Sequence, residues 1–140
     1  YPGDKYSADA LVSKGEIISM VMRNNGSLPK INPPTQDAKI VFDEDVREYA
    51  ESIVKLINID YFVQVESGRT KEGKIGLIEI NTRLDATLPI TMGLGLNFFH
   101  EMITYAITGK MSNDIKDYRN YSKNLRFRRY WQHIFEELPT

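Results

Sequence analysis

Alternating apolar and polar positions predict two strands joined by a tight turn near the start of the chain. Residues 6–12 and 16–23 both follow the period of two that a strand requires. Lys14-Gly15 lies between them, where a hairpin turn is expected. Residues 24–34 are rich in asparagine, glycine and proline and have no periodicity, so we expect a loop there.

A helix is expected next, because the following apolar residues recur at intervals of three and four. Asp43 can cap its first turn, and the acidic pair Glu44-Asp45 is favourable near the positive end of a helix dipole. One buried stripe would then consist of Val46, Ala50, Ile53, Val54 and Ile57.

A second hairpin should follow this helix. Residues 61–66 and 76–81 have strand-like patterns, and the polar residues 67–74 between them contain two glycines. Residues 84–96 show no regular period and are expected to be irregular.

The last part of the chain predicts one more helix and one more strand. Asn97 can cap the helix and Gly109 can end it. Residues 111–123 are polar and predict a loop, whereas residues 125–131 alternate and predict an edge strand with solvent-facing arginines. The apolar helix positions are Phe98, Phe99, Met102, Ile103, Ala106 and Ile107. This order of elements predicts a single α+β domain, in which helices pack on one face of an antiparallel sheet.

Composition and charge exclude several classes of function. A net charge of −1 over 140 residues gives no electrostatic signature for nucleic acid or an anionic membrane. The chain has no apolar run of membrane-spanning length and no signal peptide, so we expect a cytoplasmic protein. The absence of cysteine excludes disulfides and thiolate metal sites, and two histidines are too few for a zinc cluster. Because the chain starts Tyr1-Pro2-Gly3-Asp4 and leads directly into a strand, we expect a fragment of a larger protein.

The side chains that could bind a metal ion or a phosphate are concentrated at the end of the strand at 76–81. Glu79 and Asn81 are two residues apart and would point to the same face of a strand. Their side chains offer the oxygen ligands that Mg²⁺ prefers, and Arg83 places a guanidinium nearby. Depending on the register of the hairpin, either Gln64 or Glu66 would approach Glu79. The alternative is that these residues are simply polar side chains on a solvated strand face.

Other residues that could have a function have simpler interpretations. His100 is expected on the surface or in the core of the second helix, and the Phe98-Phe99 pair in the core. The arginines of the last strand are expected to face solvent rather than to bind an anion; they are Arg126, Arg128 and Arg129.

Four segments, taken in order, resemble the ATP-grasp enzymes, especially the large chain of carbamoyl-phosphate synthase. Residues 79–83, E-I-N-T-R, resemble the metal-binding "E-I-N-P-R" segment of that family. Residues 1–9 resemble its "PG-x-E-Y-S-x-D" strand entry, and Gly15 with Arg23 resembles the hairpin that follows. Residues 62–64 resemble its "N-V-Q-F" strand, and residues 94–98 resemble the "G-x-N" start of the next helix.

The resemblance implies a role for each matching residue. Glu79 would bridge two Mg²⁺ ions, Asn81 would ligate one of them, and Gln64 would complete the metal set. Arg83 would act on the transferring phosphoryl group, and Glu79, Asn81 and Arg83 together would contact MgATP. Mn²⁺ is an alternative metal. Phosphoryl transfer depends mainly on positioning and charge neutralisation, for which these side chains are suited.

The implied function is that of the second, metal-binding lobe of an ATP-dependent ligase. Such an enzyme activates a small carboxylate as an acyl phosphate and transfers it to an amine or a similar nucleophile. The lid and the lysines that hold the nucleotide would belong to a missing N-terminal lobe, so the 140 residues alone would be inactive. A homo-oligomer is compatible with this interpretation. The alternative is a non-catalytic binding or subunit-interaction module on the same scaffold.

Three departures from the family pattern bear on this interpretation. Lys5 stands where the family usually has glutamate, and Thr82 stands where it has proline. Residues 84–87, L-D-A-T, stand where the family usually has a glycine-rich stretch. The resemblance therefore does not define the substrate side of the site. Asp85 in this stretch could contact metal or substrate, but a loop cap is the simpler interpretation.

Overall fold

In the part of the chain that the structure describes, the strands form a six-stranded antiparallel sheet in the order β5-β4-β1-β2-β3-β6. The computed structural model describes residues 2–26, 37–111 and 125–128. The strands are β1 (Lys5–Ser13), β2 (Glu16–Gly26), β3 (Asp37–Val41), β4 (Tyr61–Arg69), β5 (Ile75–Asn81) and β6 (Arg126–Arg128). The helices are α1 (Glu44–Ile57), α2 (Leu88–Gly93) and α3 (Phe98–Thr108). Within these described ranges, no helix has the length and apolar character that a membrane crossing requires.

The first hairpin depends on a turn with two left-handed residues. Lys14 and Gly15 have φ angles of 54° and 75°, as expected for the mirror-image turns that suit the twist of paired strands. A Cβ atom on Gly15 would lie 2.7 Å from Asn58 Oδ1, so a larger residue there would displace the Asn58 side chain. Asn58 itself ends α1 in a left-handed conformation.

Helix α1 covers one face of the sheet. The Asp43 carboxylate accepts a hydrogen bond from the Val46 backbone N–H at 3.2 Å, which confirms the predicted cap. Val46, Ala50 and Val54 are buried against alternate residues of β1, β2 and β4, whereas Ile57 at the end of the helix is exposed. The core on this side therefore follows the predicted helical stripe except in its last turn.

The opposite face is apolar at one end only. Helices α2 and α3 contribute Ile90 and Phe98, which pack against Leu11, Val21 and Phe62 of the sheet. The rest of this face carries polar side chains, so α2 and α3 leave part of the sheet available for chemistry. The predicted α+β class with an antiparallel sheet is confirmed, with the difference that the helices divide between the two faces instead of packing on one.

Most sequence-predicted elements are present, and the differences have local causes. Strands β1, β2, β4 and β5 and helices α1 and α3 occur where expected, and Asn97 and Gly109 cap α3 as predicted. The prediction of a loop at 24–34 was wrong for residues 24–26, which continue β2. Residues 27–34 lie outside the described ranges. The sequence analysis missed β3 and α2, which are only five and six residues long. β6 lies at the predicted sheet edge, whereas residues 112–123 and 129–131 lie outside the described ranges.

Candidate metal and phosphate site

Two rows of polar side chains cross the sheet on the face opposite α1. In the first row Asp9 of β1 faces Gln64 of β4, and Gln64 faces Asn81 of β5. In the second row Glu66 of β4 faces Glu79 of β5. Directly paired residues of antiparallel strands point to the same side, so these five side chains share one surface.

A register shift in the β4–β5 hairpin determines which residues meet. Pairing runs in step from Gln64 opposite Asn81 to Glu66 opposite Glu79, and then slips by one residue, so that Ser67 lies opposite Leu77. Without this bulge Gln64 would face Ile80, and Glu79 and Asn81 would point to the α1 side of the sheet. The bulge therefore brings both β5 residues to the face that carries Gln64.

Gln64 links the polar residues of its row through both ends of its amide. Its Nε2 donates to Asp9 Oδ1 at 2.8 Å and to Asp85 Oδ2 at 3.1 Å, and lies 3.4 Å from Thr87 Oγ1. Its Oε1 accepts from Asn81 Nδ2 at 3.3 Å. Gln64 is fully buried, at 1% exposure, and its carbonyl oxygen is turned toward β5.

A buried ion pair underlies this end of the sheet. Arg23 and Asp9 are each 1% exposed, and an Arg23 guanidinium nitrogen donates to Asp9 Oδ2. A second guanidinium nitrogen of Arg23 donates to Thr87 Oγ1 at 3.1 Å, which ties the segment before α2 to β2. Arg23 Nε is buried and has no partner among the described residues.

Asp85 combines the predicted capping role with a contact to the sheet. Its Oδ1 accepts from the Thr87 backbone N–H at 2.7 Å and from the Thr87 hydroxyl, so it does cap the loop before α2. Its other oxygen accepts from Gln64. Burial alone would raise the pKa of Asp85, but the hydrogen bonds from Thr87 and Gln64 and the charge of Arg23 hold that pKa below its ordinary value.

Carboxylates are concentrated around Glu66. Burial raises the pKa of Glu66 above its ordinary value, and the negative charges of Glu79, Asp85 and Asp9 act in the same direction, against the Arg23 cation. Glu79 is exposed and forms no hydrogen bond or ion pair with another described residue. This environment favours the binding of a cation, because a cation would stabilise the ionised form of both glutamates.

The other residues singled out in the sequence lie outside this hydrogen-bonded group. Arg83 is exposed just beyond β5 and makes no hydrogen bond or ion pair among the described residues. His100 is on the surface of α3, as expected, 3.7 Å from the Glu101 carboxylate. Phe98 is in the core as predicted, whereas Phe99 is 52% exposed. Arg126 and Arg128 of the edge strand β6 are exposed beside Asp37 of β3.

The residue types present fit a hard divalent cation. Gln64, Glu79 and Asn81 supply amide and carboxylate oxygens on one face, and Mg²⁺ binds such ligands while keeping several waters. In the described parts of the chain, no group of three or more acidic, histidine or cysteine side chains is arranged to hold a metal. The site thus differs from an all-carboxylate cage and is suited to a metal that brings further ligands, such as phosphate oxygens.

The predicted residues Gln64, Glu79 and Asn81 lie on one face of the sheet. Three further residues, for which no role was predicted, belong to the hydrogen-bonded group around Gln64; they are Asp9, Arg23 and Thr87. Asp9 had a signal: it is a carboxylate between Ala8 and Ala10, in the middle of the strand predicted at residues 6–12. Thr87 had only a local signal, because Asp85 can cap a residue two positions later. Its contact to Arg23 arises only when the segment before α2 folds onto the sheet.

Comparison with known structures supports the same fold. An L-amino acid ligase from Bacillus licheniformis superposes with a TM-score of 0.63 at 15% identity, over 82% of this chain and 31% of the ligase. The biotin carboxylase domain dimer of Hydrogenobacter thermophilus 2-oxoglutarate carboxylase, in complex with MgADP, ADP and bicarbonate, gives 0.63 at 20% identity over 89% and 28%. Rhizobium etli pyruvate carboxylase gives 0.68 at 15% identity over 90% and 14%. The chain therefore spans less than a third of the length of these structures.

Sequence comparison identifies the family. A search of curated proteins found no significant match. A family model described as "ATP-grasp in the biosynthetic pathway with Ter operon" matches residues 1–129, which is most of the chain. Because this match agrees with the antiparallel α+β lobe and its structural neighbours, the chain belongs to the ATP-grasp family.

Proposed function

We propose that this chain is the MgATP-binding lobe of an ATP-dependent ligase that activates a carboxylate as an acyl phosphate. The acyl group would then pass to an amine or a similar nucleophile, as the resemblance to the carbamoyl-phosphate synthase large chain implies. The observation that carries the proposal is the shared surface of Gln64, Glu79 and Asn81, with the Gln64 carbonyl oxygen turned toward Asn81. A purely solvated strand face would not need a buried glutamine held by two carboxylates.

In this proposal Glu79, Asn81 and Gln64 hold Mg²⁺ through their oxygens. When bound, Mg²⁺ would neutralise the charge of the nucleotide phosphates during transfer. Glu79 supplies the negative charge and has no competing partner among the described residues, whereas both amides supply neutral oxygens. The exposed Arg83 is not committed to an ion pair with any described carboxylate, so its guanidinium is free to contact a phosphoryl group.

The activity of the intact protein tests this proposal. ATP-dependent phosphate release is measured with pools of carboxylates and amines, and the Glu79→Gln variant is compared with wild type. Glu79→Gln preserves the shape of the side chain and removes its charge, so we expect a loss of about 100-fold, or ~2.7 kcal/mol of transition-state stabilisation. Glu72→Gln is the matched control, because Glu72 is an exposed glutamate in the turn of the same hairpin. Equal activity of the two variants would exclude Glu79 as a metal ligand.

The isolated 140 residues provide a second test. We expect them to bind MgADP weakly and to have no turnover, because the proposal assigns the nucleotide cradle to a further lobe. ATP-dependent phosphate release by the isolated chain that Glu79→Ala abolishes would contradict this assignment.

A further inference from the structure

The orientation of the Gln64 amide is dictated by its surroundings. Three acceptor oxygens surround its NH₂ group, at 2.8 Å from Asp9, 3.1 Å from Asp85 and 3.4 Å from Thr87. The reverse orientation would place the carbonyl oxygen against two carboxylates and the NH₂ group against the Asn81 NH₂. Repulsion from the two carboxylates excludes that orientation however the Asn81 amide is turned, so the carbonyl oxygen must face β5.

The two carboxylates that hold Gln64 differ in their other hydrogen bonds and ion pairs. Asp9 forms the buried ion pair with Arg23, so its charge is compensated whether or not Gln64 is present. Asp85 has no ion pair with a described residue, and its position comes from the loop: Thr87 donates to Oδ1 through its backbone N–H and its hydroxyl. This leaves Oδ2 of Asp85 directed at Gln64.

We infer that Asp85 is a positioning residue for the metal site: it holds the Gln64 amide so that its carbonyl oxygen faces the ligands on β5. The inference rests on the proposed function, since it assumes that Gln64 ligates metal. Asp85 then acts on the metal through Gln64, in the way that outer partners orient metal ligands generally. It also gives the unusual L-D-A-T stretch at residues 84–87 a definite role beyond capping.

Substitution of Asp85 should weaken metal binding without removing the loop cap. In Asp85→Asn the amide oxygen can still accept from Thr87, but the new NH₂ group would face the Gln64 NH₂ and displace it. In Asp85→Ser the hydroxyl can still cap the loop, but it is too short to reach Gln64. We expect each variant to weaken Mn²⁺ binding in the presence of ADP by roughly 10-fold, which is the lower end of outer-partner effects. Free Mn²⁺ is measured by electron paramagnetic resonance on the intact protein.

A double-mutant cycle separates positioning from a general structural effect. Gln64→Met removes the amide on which Asp85 acts, so an effect that Asp85 exerts through Gln64 disappears in this background. We expect Asp85→Ser combined with Gln64→Met to bind Mn²⁺ within about twofold of Gln64→Met alone, whereas independent structural effects would add. Asp60→Asn is the matched control, because Asp60 also accepts a backbone N–H, from Lys14, but lies before β4, beside the first hairpin turn.

The Glu79→Gln variant, measured in the same assay, separates this inference from the proposed function. The inference is supported if Glu79→Gln and both Asp85 variants weaken Mn²⁺ binding and Asp85→Ser has no further effect in the Gln64→Met background. If Glu79→Gln weakens binding but the Asp85 variants bind as wild type, Asp85 is only a loop cap. A further roughly 10-fold loss from Asp85→Ser in the Gln64→Met background would likewise overturn the positioning role. Unchanged binding in Glu79→Gln would refute the metal site, and the inference with it.

Discussion

Removal of one partner of the buried pair of Asp9 and Arg23 should cost an unusually large amount of stability for a change in a single polar contact. Both residues are 1% exposed, so the substitution Asp9→Asn would leave the Arg23 cation buried without its counter-charge. Breaking a buried pair in this way costs about 3–5 kcal/mol. The single asparagine oxygen can accept a hydrogen bond from either Gln64 or Arg23, so one of these donors loses its acceptor and the expected loss is at least about 3 kcal/mol. A loss of about 3 kcal/mol lowers the equilibrium constant for folding about 150-fold.

Urea denaturation followed by far-ultraviolet circular dichroism measures this loss. We expect the midpoint to fall with an unchanged dependence on urea concentration, because the substitution alters stability and not the surface exposed on unfolding. Asp37→Asn is the control. Asp37 of β3 pairs with Arg126 of the edge strand β6, and both side chains are close to half exposed, so the loss of this pair should cost less than about 1 kcal/mol.

A double-mutant cycle tests the physical reason. If the cost of Asp9→Asn comes from the uncompensated cation, adding Arg23→Met should recover about 2 kcal/mol relative to the sum of the single changes. The reasoning is refuted if Asp9→Asn costs less than about 1 kcal/mol, or if the two single effects add within about 0.5 kcal/mol.

Three further predictions concern other parts of the fold. Because the pKa of Glu66 is raised above its ordinary value of 4.5, ionised Glu66 destabilises the folded state. Glu66→Gln should therefore be more stable than wild type at pH 8 in metal-free buffer, and this difference in stability should disappear as the pH falls to 4.5 and below. A difference that does not change with pH would contradict this prediction. Val54→Ala removes two buried methyl groups between α1 and the sheet, so urea denaturation should measure a loss of about 2 kcal/mol; a loss below about 0.5 kcal/mol would mean that the site collapses around the smaller side chain. Asn97→Ala removes the side chain that caps α3 and should cost about 1 kcal/mol, which Asn97→Ser should largely restore in the same measurement if capping is the cause.

Local chemistry in the sequence was sufficient for the elements that depend on neighbouring residues. The period of two in β1 and β2, the helical stripe of α1 and the caps Asp43, Asn97 and Gly109 each act within a few residues along the chain. The short elements β3 and α2 were missed because five or six residues carry too little periodicity to be distinguished from loop. They form only because the sheet and its core give them surfaces to pack against.

For the candidate site, too, one part of the arrangement follows from the sequence and the other part from the tertiary structure. By itself, the sequence determined that Glu79 and Asn81 share a face and that oxygen ligands cluster there, since strand geometry requires it. Only the tertiary structure decided which face that is and which residue of β4 they meet, because a one-residue bulge in the hairpin reverses both answers. The link from Asp85 and Thr87 to Gln64 also appears only in three dimensions, since it spans more than 20 residues of chain and depends on the segment before α2 folding back over the sheet.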